Sequence, residues 1–440
     1  MSEGNGILPR GESEGPRTHP EHQGPVPPGI ALGMSRREFL RYTGVGIGAL
    51  SLGSVLAACG SGGTPGSTFS SEPAGILNFA NWPLYIDKTK RPDGTRYSPS
   101  LAGFTRETGI LVNYREVIPD GEWFFQQLEP RLAAGEPTGW DLMVITNGIT
   151  LTKMKQRGDL VELPSDLRPN FDRNAGDFVK DPPYDPGNRF TMAWQSGITG
   201  IAYDPDITHR QVTSLRDLFS DEFAGRVGMF GDIVDMPNTA LLALSVVPET
   251  STEEDWQRAA DLLVRQRDSG VLGAYYQSNY IPALAKGDIA ITMAWSGDVF
   301  AGKIFGKIPS RIRFVVPDEG ALLWTDNMCI PKGAQHLSDA ITYMDYVYQP
   351  SVAAQIAQFV NYITPVPAAK AVIEKMADVA EDPAEAARLR EVAESSLVFP
   401  TPDITANLHA YRELKTEEES RLWDELFPPI YSGASAPRGA

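Results

Sequence analysis

From about residue 75 onward, short apolar runs alternate with stretches whose apolar positions recur every three or four residues. Residues 76–80, 110–114 and 141–145 have the length and the flanking turn residues of strands, and 99–108, 122–134 and 151–157 have helical periodicity. A second set follows, with strands expected at 198–203, 227–230, 289–294, 312–316 and 323–330 and helices at 239–246, 253–268 and 280–287. The remainder reads as mainly helical, at 337–348, 351–359, 367–377, 383–395 and 416–427. Strands alternating with helices imply an α/β fold of parallel sheets joined by crossover helices. Roughly 370 residues in this pattern exceed one compact core and are enough for two domains.

The segment before this pattern has a different character. A long polar lead is followed by Ser35, Arg36, Arg37, Glu38 and Phe39, an apolar run rich in Gly, Ala and Leu over 45–55, and then Leu56, Ala57, Ala58 and Cys59. A twin-arginine pair, an apolar core and a small-residue cleavage site mark a bacterial export signal. The alternative, a membrane-spanning helix, needs about 20 apolar residues, and this run is well short of that. Residues 1–58 are therefore expected to be a signal peptide. The segment resembles a lipoprotein leader, which implies that Cys59 is the lipidated N-terminus of the mature chain. Residues 59–75 then form a Gly- and Ser-rich tether, and the body is expected to be exported and held at the outer face of the cell membrane. With Cys59 so used, Cys329 has no intrachain partner.

The formal charge of −17 disfavours nucleic acid, which requires a basic patch, and favours small cations. Two segments sharpen this: A-W-S-G-D at 294–298 and L-W-T-D-N at 323–327 each set a tryptophan two or three residues ahead of an aspartate. Aromatic faces attract ammonium groups by about 0.5 to 2 kcal/mol each, and carboxylates add charge-assisted hydrogen bonds. Asp232 and Asp235 supply a further acidic pair. Ligands of open α/β sheets bind at the carboxyl ends of strands, and that is where Trp82 and Tyr85, Thr146, Asp232 and Asp235, and Trp295 and Asp298 fall. The ligand expected on these grounds is an aliphatic amine.

Other readings of the same residues remain open at this level. Trp295 and Trp324 end apolar strands and could be plain core, and Tyr85 and Tyr362 ordinary half-buried tyrosines. Asp232 and Asp235 could order a helix start, or act as the acid and base of a surface-tethered hydrolase. Tyr275 and Tyr276 form a tyrosine pair of the kind that binds iron in some carrier proteins, but lack an adjacent histidine. His209, His336 and His409 are isolated in polar contexts, and no catalytic or metal-binding motif is present. The chain is thus expected to need no cofactor, to hold no metal and to make or break no bond.

Six strings in order, N-W-P-L-Y-I-D at 81–87, P-P-Y-D-P-G-N at 182–188, G-I-T-G-I-A-Y at 197–203, A-W-S-G-D at 294–298, L-W-T-D-N-M-C-I-P-K-G-A at 323–334 and N-Y-I-T-P-V-P-A-A at 361–369, resemble the spermidine/putrescine-binding components of bacterial ABC importers. The resemblance implies a two-lobe type II periplasmic-binding-protein fold with the ligand cleft between the lobes. Lobe 1 is expected over 76–197 plus 327–370 and lobe 2 over 198–326 plus 371–432, with hinge crossings near Ser196, Gly197 and Asp326. It also implies that Trp82 and Tyr85 wall the cleft from lobe 1, that Asp232, Asp235 and Asp326 bind amine groups, and that Trp295 and Trp324 sandwich the methylene stem. Asp298 matches an aspartate of putrescine-type members, and Tyr362 a tyrosine near the hinge. The implied partners are a polyamine, a membrane permease and its ATPase, with the binding protein itself a monomer. The chain departs from the family pattern at Thr146, Asn147 and Gly148: Thr146 keeps a hydroxyl, but Gly148 removes a tyrosine wall, leaving that side of the pocket open. The family's C-terminal glutamine has no clear counterpart near Tyr411 and Arg412, and an arginine directed into the cleft would repel an amine. Another cationic or sugar-like solute, or a sensor lipoprotein using the same pocket, are the neighbouring alternatives.

Overall fold

The structure, a computed structural model, describes residues 75–277 and 279–432. The expected signal segment, Cys59 and all but the last residue of the tether lie outside the described residues.

The first apolar run forms β1 (Ile76–Asn81), whose inward side chains meet a ring of aromatics. Phe79 sits edge-on to Tyr114 at 5.2 Å and to Trp194 at 5.9 Å, and also packs against Tyr343 at 5.2 Å. Burying each such ring contributes about 1.5–3 kcal/mol, which fixes β1 at the centre of its part of the sheet. A short hairpin of β2 (Thr89–Lys90) and β3 (Arg96–Tyr97) follows. Next come β4 (Leu111–Glu116), β5 (Leu142–Thr146) and β6 (Thr191–Tyr203), then β7 (Val227–Phe230), β8 (Leu272–Tyr276), β9 (Ile291–Trp295), β10 (Arg313–Val315), β11 (Ala321–Cys329) and β12 (Leu408–His409). Helices lie between them as the periodicity predicted, among them Pro99–Thr108, Gly121–Ala134 and Glu253–Asp268, the last begun by a capping box of Thr252 and Asp255.

Apart from β2 and β3, these strands form one mixed sheet in the order β4-β1-β5-β11-β6-β9-β7-β8, with β10 added to β6 and β12 to β11. Two parallel groups were expected and both are present: β1 runs parallel to β4 and β5, and β7 parallel to β8 and β9. The correction concerns what joins them. β6 and β11 pair antiparallel with each other over nearly their whole lengths, with β5 on one flank and β9 on the other, so the sheet is continuous. The pattern placed the first of these strands at 198–203, whereas β6 begins at Thr191 and is buried throughout. Its polar centre, Gln195, Ser196 and Gly197, lies ahead of the strand expected in sequence and is paired to β11.

Gly197 has a specific packing role in this crossing. A Cβ there would fall 2.2 Å from Trp324 Cζ2, so only glycine lets the indole lie across β6. A third crossing joins at the same level: Ser196 and Ile363 exchange backbone hydrogen bonds of 2.8 Å in each direction, which sets Tyr362 beside the two long strands. The lobe boundary expected at 370/371 falls inside the helix Ala369–Val379, which packs on both Pro350–Val360 and Pro383–Glu394. Among the described residues no helix is long and apolar enough to cross a membrane.

Candidate functional site

The crossing strands bring four aspartates into one region. Asp326 lies in β11 between Thr146 of β5 and Gln195 of β6. It is 4% exposed, and its Oδ1 accepts a 2.5 Å hydrogen bond from Thr146 Oγ1. Trp324, two residues earlier and so on the same side of the strand, donates its indole N–H to Thr199 Oγ1 at 3.0 Å. Thr199 in turn donates to Asp235 Oδ1 at 2.7 Å. Asp235 receives two more bonds, from Tyr411 Oη at 2.7 Å and from Trp295 Nε1 at 3.0 Å. Asp298, on the helix Ser296–Ile304 that follows β9, accepts from Tyr362 Oη at 2.8 Å and from Tyr280 Oη at 3.2 Å. Aromatic rings fill the space between: Trp324 and Tyr362 lie 5.4 Å apart, and Tyr85 meets Tyr362 edge-on at 5.5 Å.

Asp232 and Asp235 divide the two roles the sequence left open. Asp232 Oδ1 accepts the backbone N–H groups of Val234 (2.7 Å) and Asp235 (2.5 Å), ordering the turn into the helix Asp235–Ala243. That helix starts four residues earlier than the periodicity implied, because its first turn is held by this carboxylate. Asp235, with three side-chain donors, has little free accepting capacity left. The second oxygens of Asp232 and Asp326 receive no hydrogen bond of regular geometry from the described residues, although the Met236 N–H approaches the Asp232 carboxylate and the Tyr85 hydroxyl that of Asp326.

Burial raises the pKa of all four groups. Asp326 is pushed up to about 6 by burial, with the Thr146 hydroxyl and, less, the nearby Tyr85 hydroxyl opposing the shift. Asp235 rises through burial against its three donors, and Asp298 through burial against Tyr362 and Tyr280. Asp232 rises through burial and, next, through the negative charge of Asp235. None of the four forms an ion pair with Lys or Arg among the described residues. The Tyr85 hydroxyl, on a side chain 5% exposed, approaches Asp326 closely enough to feel its carboxylate but does not reach regular hydrogen-bond geometry with any described residue. Buried carboxylates without counter-ions, and a buried hydroxyl without a partner, are costly unless a cation with N–H donors completes them.

The ten expected site residues thus fall into groups. Tyr85, Thr146, Asp235, Trp295, Asp298, Trp324, Asp326 and Tyr362 are joined by hydrogen bonds, ring contacts or close charge, and Asp232 stands one turn from Asp235. Trp82 makes its contacts elsewhere, with its indole N–H on Val144 O at 3.1 Å and its ring against Gly121. Three further residues take part that sequence alone did not single out, Thr199, Tyr280 and Tyr411: all are uncharged, and Thr199, although inside the 197–203 string, shows its role only through its partners. The side expected to be open at Gly148 is filled: a Cβ at that position would meet Tyr411 Cδ2 and Val234 Cγ1, each at 3.6 Å. Arg412 turns away from the carboxylates, bonding Glu419 Oε1 at 2.8 Å and lying over the Trp256 ring. Tyr275 and Tyr276 are neighbours in β8, and successive strand side chains point to opposite faces. Among the described residues no three His, Cys, Asp or Glu side chains gather as a metal site.

Residues 100–387 match the family of bacterial extracellular solute-binding proteins. The chain is 28% identical over 330 residues to the spermidine/putrescine-binding periplasmic protein 1 of Haemophilus influenzae, covering 74% of this chain and 81% of that one. It is 26% identical over 369 residues to the putrescine-binding periplasmic protein SpuD of Pseudomonas aeruginosa, covering 80% and 91%. In fold it is similar to the crystal structure of the spermidine/putrescine substrate-binding protein PotD of Streptococcus pneumoniae, with a TM-score of 0.64, 24% identity, and coverage of 81% of this chain and 98% of that one.

Proposed function

Because the chain belongs to the family of bacterial extracellular solute-binding proteins, we propose that it is the capture component of an ABC importer and that its ligand is a linear polyamine, putrescine or spermidine. The observation that carries this reading is the set of four buried or half-buried aspartates with no basic partner among the described residues, interleaved with Trp295, Trp324, Tyr85 and Tyr362. A linear amine suits it chemically. One ammonium pairs with the free oxygen of Asp326 and donates to the Tyr85 hydroxyl, the methylene stem lies between indole and phenol faces, and another ammonium takes the free oxygen of Asp232. Asp235 and Asp298 act at closer range on the site than on the ligand, the first fixing Trp295 and the second fixing Tyr362 and Tyr280. Trp82 braces β5 on the lobe 1 side through its bond to Val144 O.

In this reading lobe 1 is carried by β1, β4, β5 and the distal halves of β6 and β11, and lobe 2 by β7, β8, β9 and the opposite halves. The hinge lies at Ser196, Gly197, Thr325 and Asp326. We assign the helices Ala369–Val379 and Pro383–Glu394 to lobe 1, since they pack on Pro350–Val360. Closure of the lobes over the amine presents one shape to a permease. The twin-arginine leader and lipidated Cys59 put a monomeric body at the outer face of the membrane. A panel of thermal melts tests the ligand class: putrescine and spermidine raise the melting temperature, while a neutral sugar and an acidic amino acid leave it unchanged. Stabilisation by the sugar and not by the amines overturns the reading.

A further inference from the structure

Gly148 has φ +120° and ψ −149°, a region essentially restricted to glycine. No wall-forming side chain can stand at 148 on this backbone without strain. The space in front of it is taken by Tyr411, which is 4% exposed and reaches across from the segment after β12. Its hydroxyl donates to Asp235 Oδ1 at 2.7 Å.

The backbone on both sides of the ring is held by neighbouring residues. Ala410 N–H donates to Glu249 Oε1 at 2.6 Å and Arg412 N–H to Asn238 Oδ1 at 2.9 Å. The Arg412 guanidinium bonds Glu249 O at 3.2 Å and Glu419 Oε1 at 2.8 Å, and lies 5.2 Å over the Trp256 ring. A buried ring anchored on both sides is a fixed stop, because moving it would break several hydrogen bonds at once.

Building on the polyamine reading, we propose that Tyr411 is a specificity-determining residue that limits ligand length. Its ring blocks the cleft beyond Asp235 where Gly148 leaves room, and its hydroxyl, together with that of Thr199, occupies the Asp235 oxygen that a further ammonium would use. The site therefore takes an α,ω-diamine in preference to a triamine with an added aminopropyl arm.

The test is calorimetric titration of the full chain and of Tyr411→Phe and Tyr411→Ala with putrescine and spermidine. The unsubstituted protein binds putrescine more tightly, and Tyr411→Ala shifts the spermidine-to-putrescine affinity ratio toward spermidine by about tenfold or more. Tyr411→Phe, which removes one of the two hydroxyl donors on Asp235 Oδ1 but keeps the ring, shifts the ratio the same way by less. A purely structural role would weaken both ligands in parallel, and that result overturns the proposal, as does a preference of the unsubstituted protein for spermidine. If the alanine chain does not fold, Tyr411→Leu keeps an apolar side chain in place and carries the same expectations. Failure of the unsubstituted protein to bind either amine refutes the ligand class itself, a different outcome from a parallel loss.

Discussion

Replacing Asp326 with Asn alters charge with almost no change of shape, and its effects on stability and on binding have opposite signs. The amide oxygen still accepts the Thr146 hydroxyl, now at 2.5 Å from the carboxylate, and the amide N–H groups can donate to the nearby Tyr85 hydroxyl. In the folded protein the Asp326 pKa is raised from 3.8 to about 6, above its unfolded value. The folded state therefore binds more protons than the unfolded state between these limits, and stability falls as pH rises through that window. Above it the cost is fully present, on the order of 3 kcal/mol as an upper limit. Without ligand at pH 7, Asp326→Asn removes this cost and raises the melting temperature by a few degrees, on the order of 2 °C per kcal/mol for a chain of this size. With ligand, the charge-assisted bond to an ammonium is lost, which costs about 1.5–3 kcal/mol or roughly 10- to 150-fold in affinity. Differential scanning calorimetry without ligand and isothermal titration with putrescine read the two effects separately. A variant that is destabilised without ligand, or that keeps full putrescine affinity, refutes the argument that Asp326 is a strained carboxylate reserved for a cation.

The same shift predicts a pH dependence. Binding an ammonium draws the Asp326 pKa down and releases a proton, so putrescine affinity falls as pH drops from 7 to 5, by up to about tenfold per unit below the free-site pKa; affinity constant over that range contradicts this. Trp295→Ala removes both an aromatic face and the 3.0 Å bond that holds Asp235, and should weaken putrescine by about tenfold or more, whereas Trp295→Phe recovers the face and part of the affinity. Cys59→Ser leaves binding in solution intact but releases the protein from the membrane fraction of cells that export it; retention in the membranes argues against lipidation at that position.

Much of the fold was legible because its parallel strands are short, apolar and bounded by turn residues, as at β1, β5, β7 and β9. β6 was only half legible. Gln195, Ser196 and Gly197 interrupt its apolar run, and they are tolerated because β11 pairs with them and Ser196 shares a 2.8 Å hydroxyl contact with Thr325. β8 was missed since Tyr275 and Tyr276 drew attention as chemistry when their place is in a ladder with β7. At the site, charged and aromatic residues declared themselves through their cost at strand ends. Thr199, Tyr280 and Tyr411 gave no such signal, because a hydroxyl becomes informative only once its partner is known. The wall expected to be missing at Gly148 shows the limit most clearly: the side chain that fills it is more than 250 positions away and acquires its role from packing alone.

A site built for a linear cation is tested most directly by isothermal titration calorimetry of the purified protein with putrescine, spermidine, spermine, a neutral sugar and an acidic amino acid. Such a site binds putrescine one-to-one with release of protons near pH 6 and gives no heat with the sugar or the acidic amino acid. Absence of heat with all three polyamines, or one-to-one binding of the neutral sugar, contradicts this.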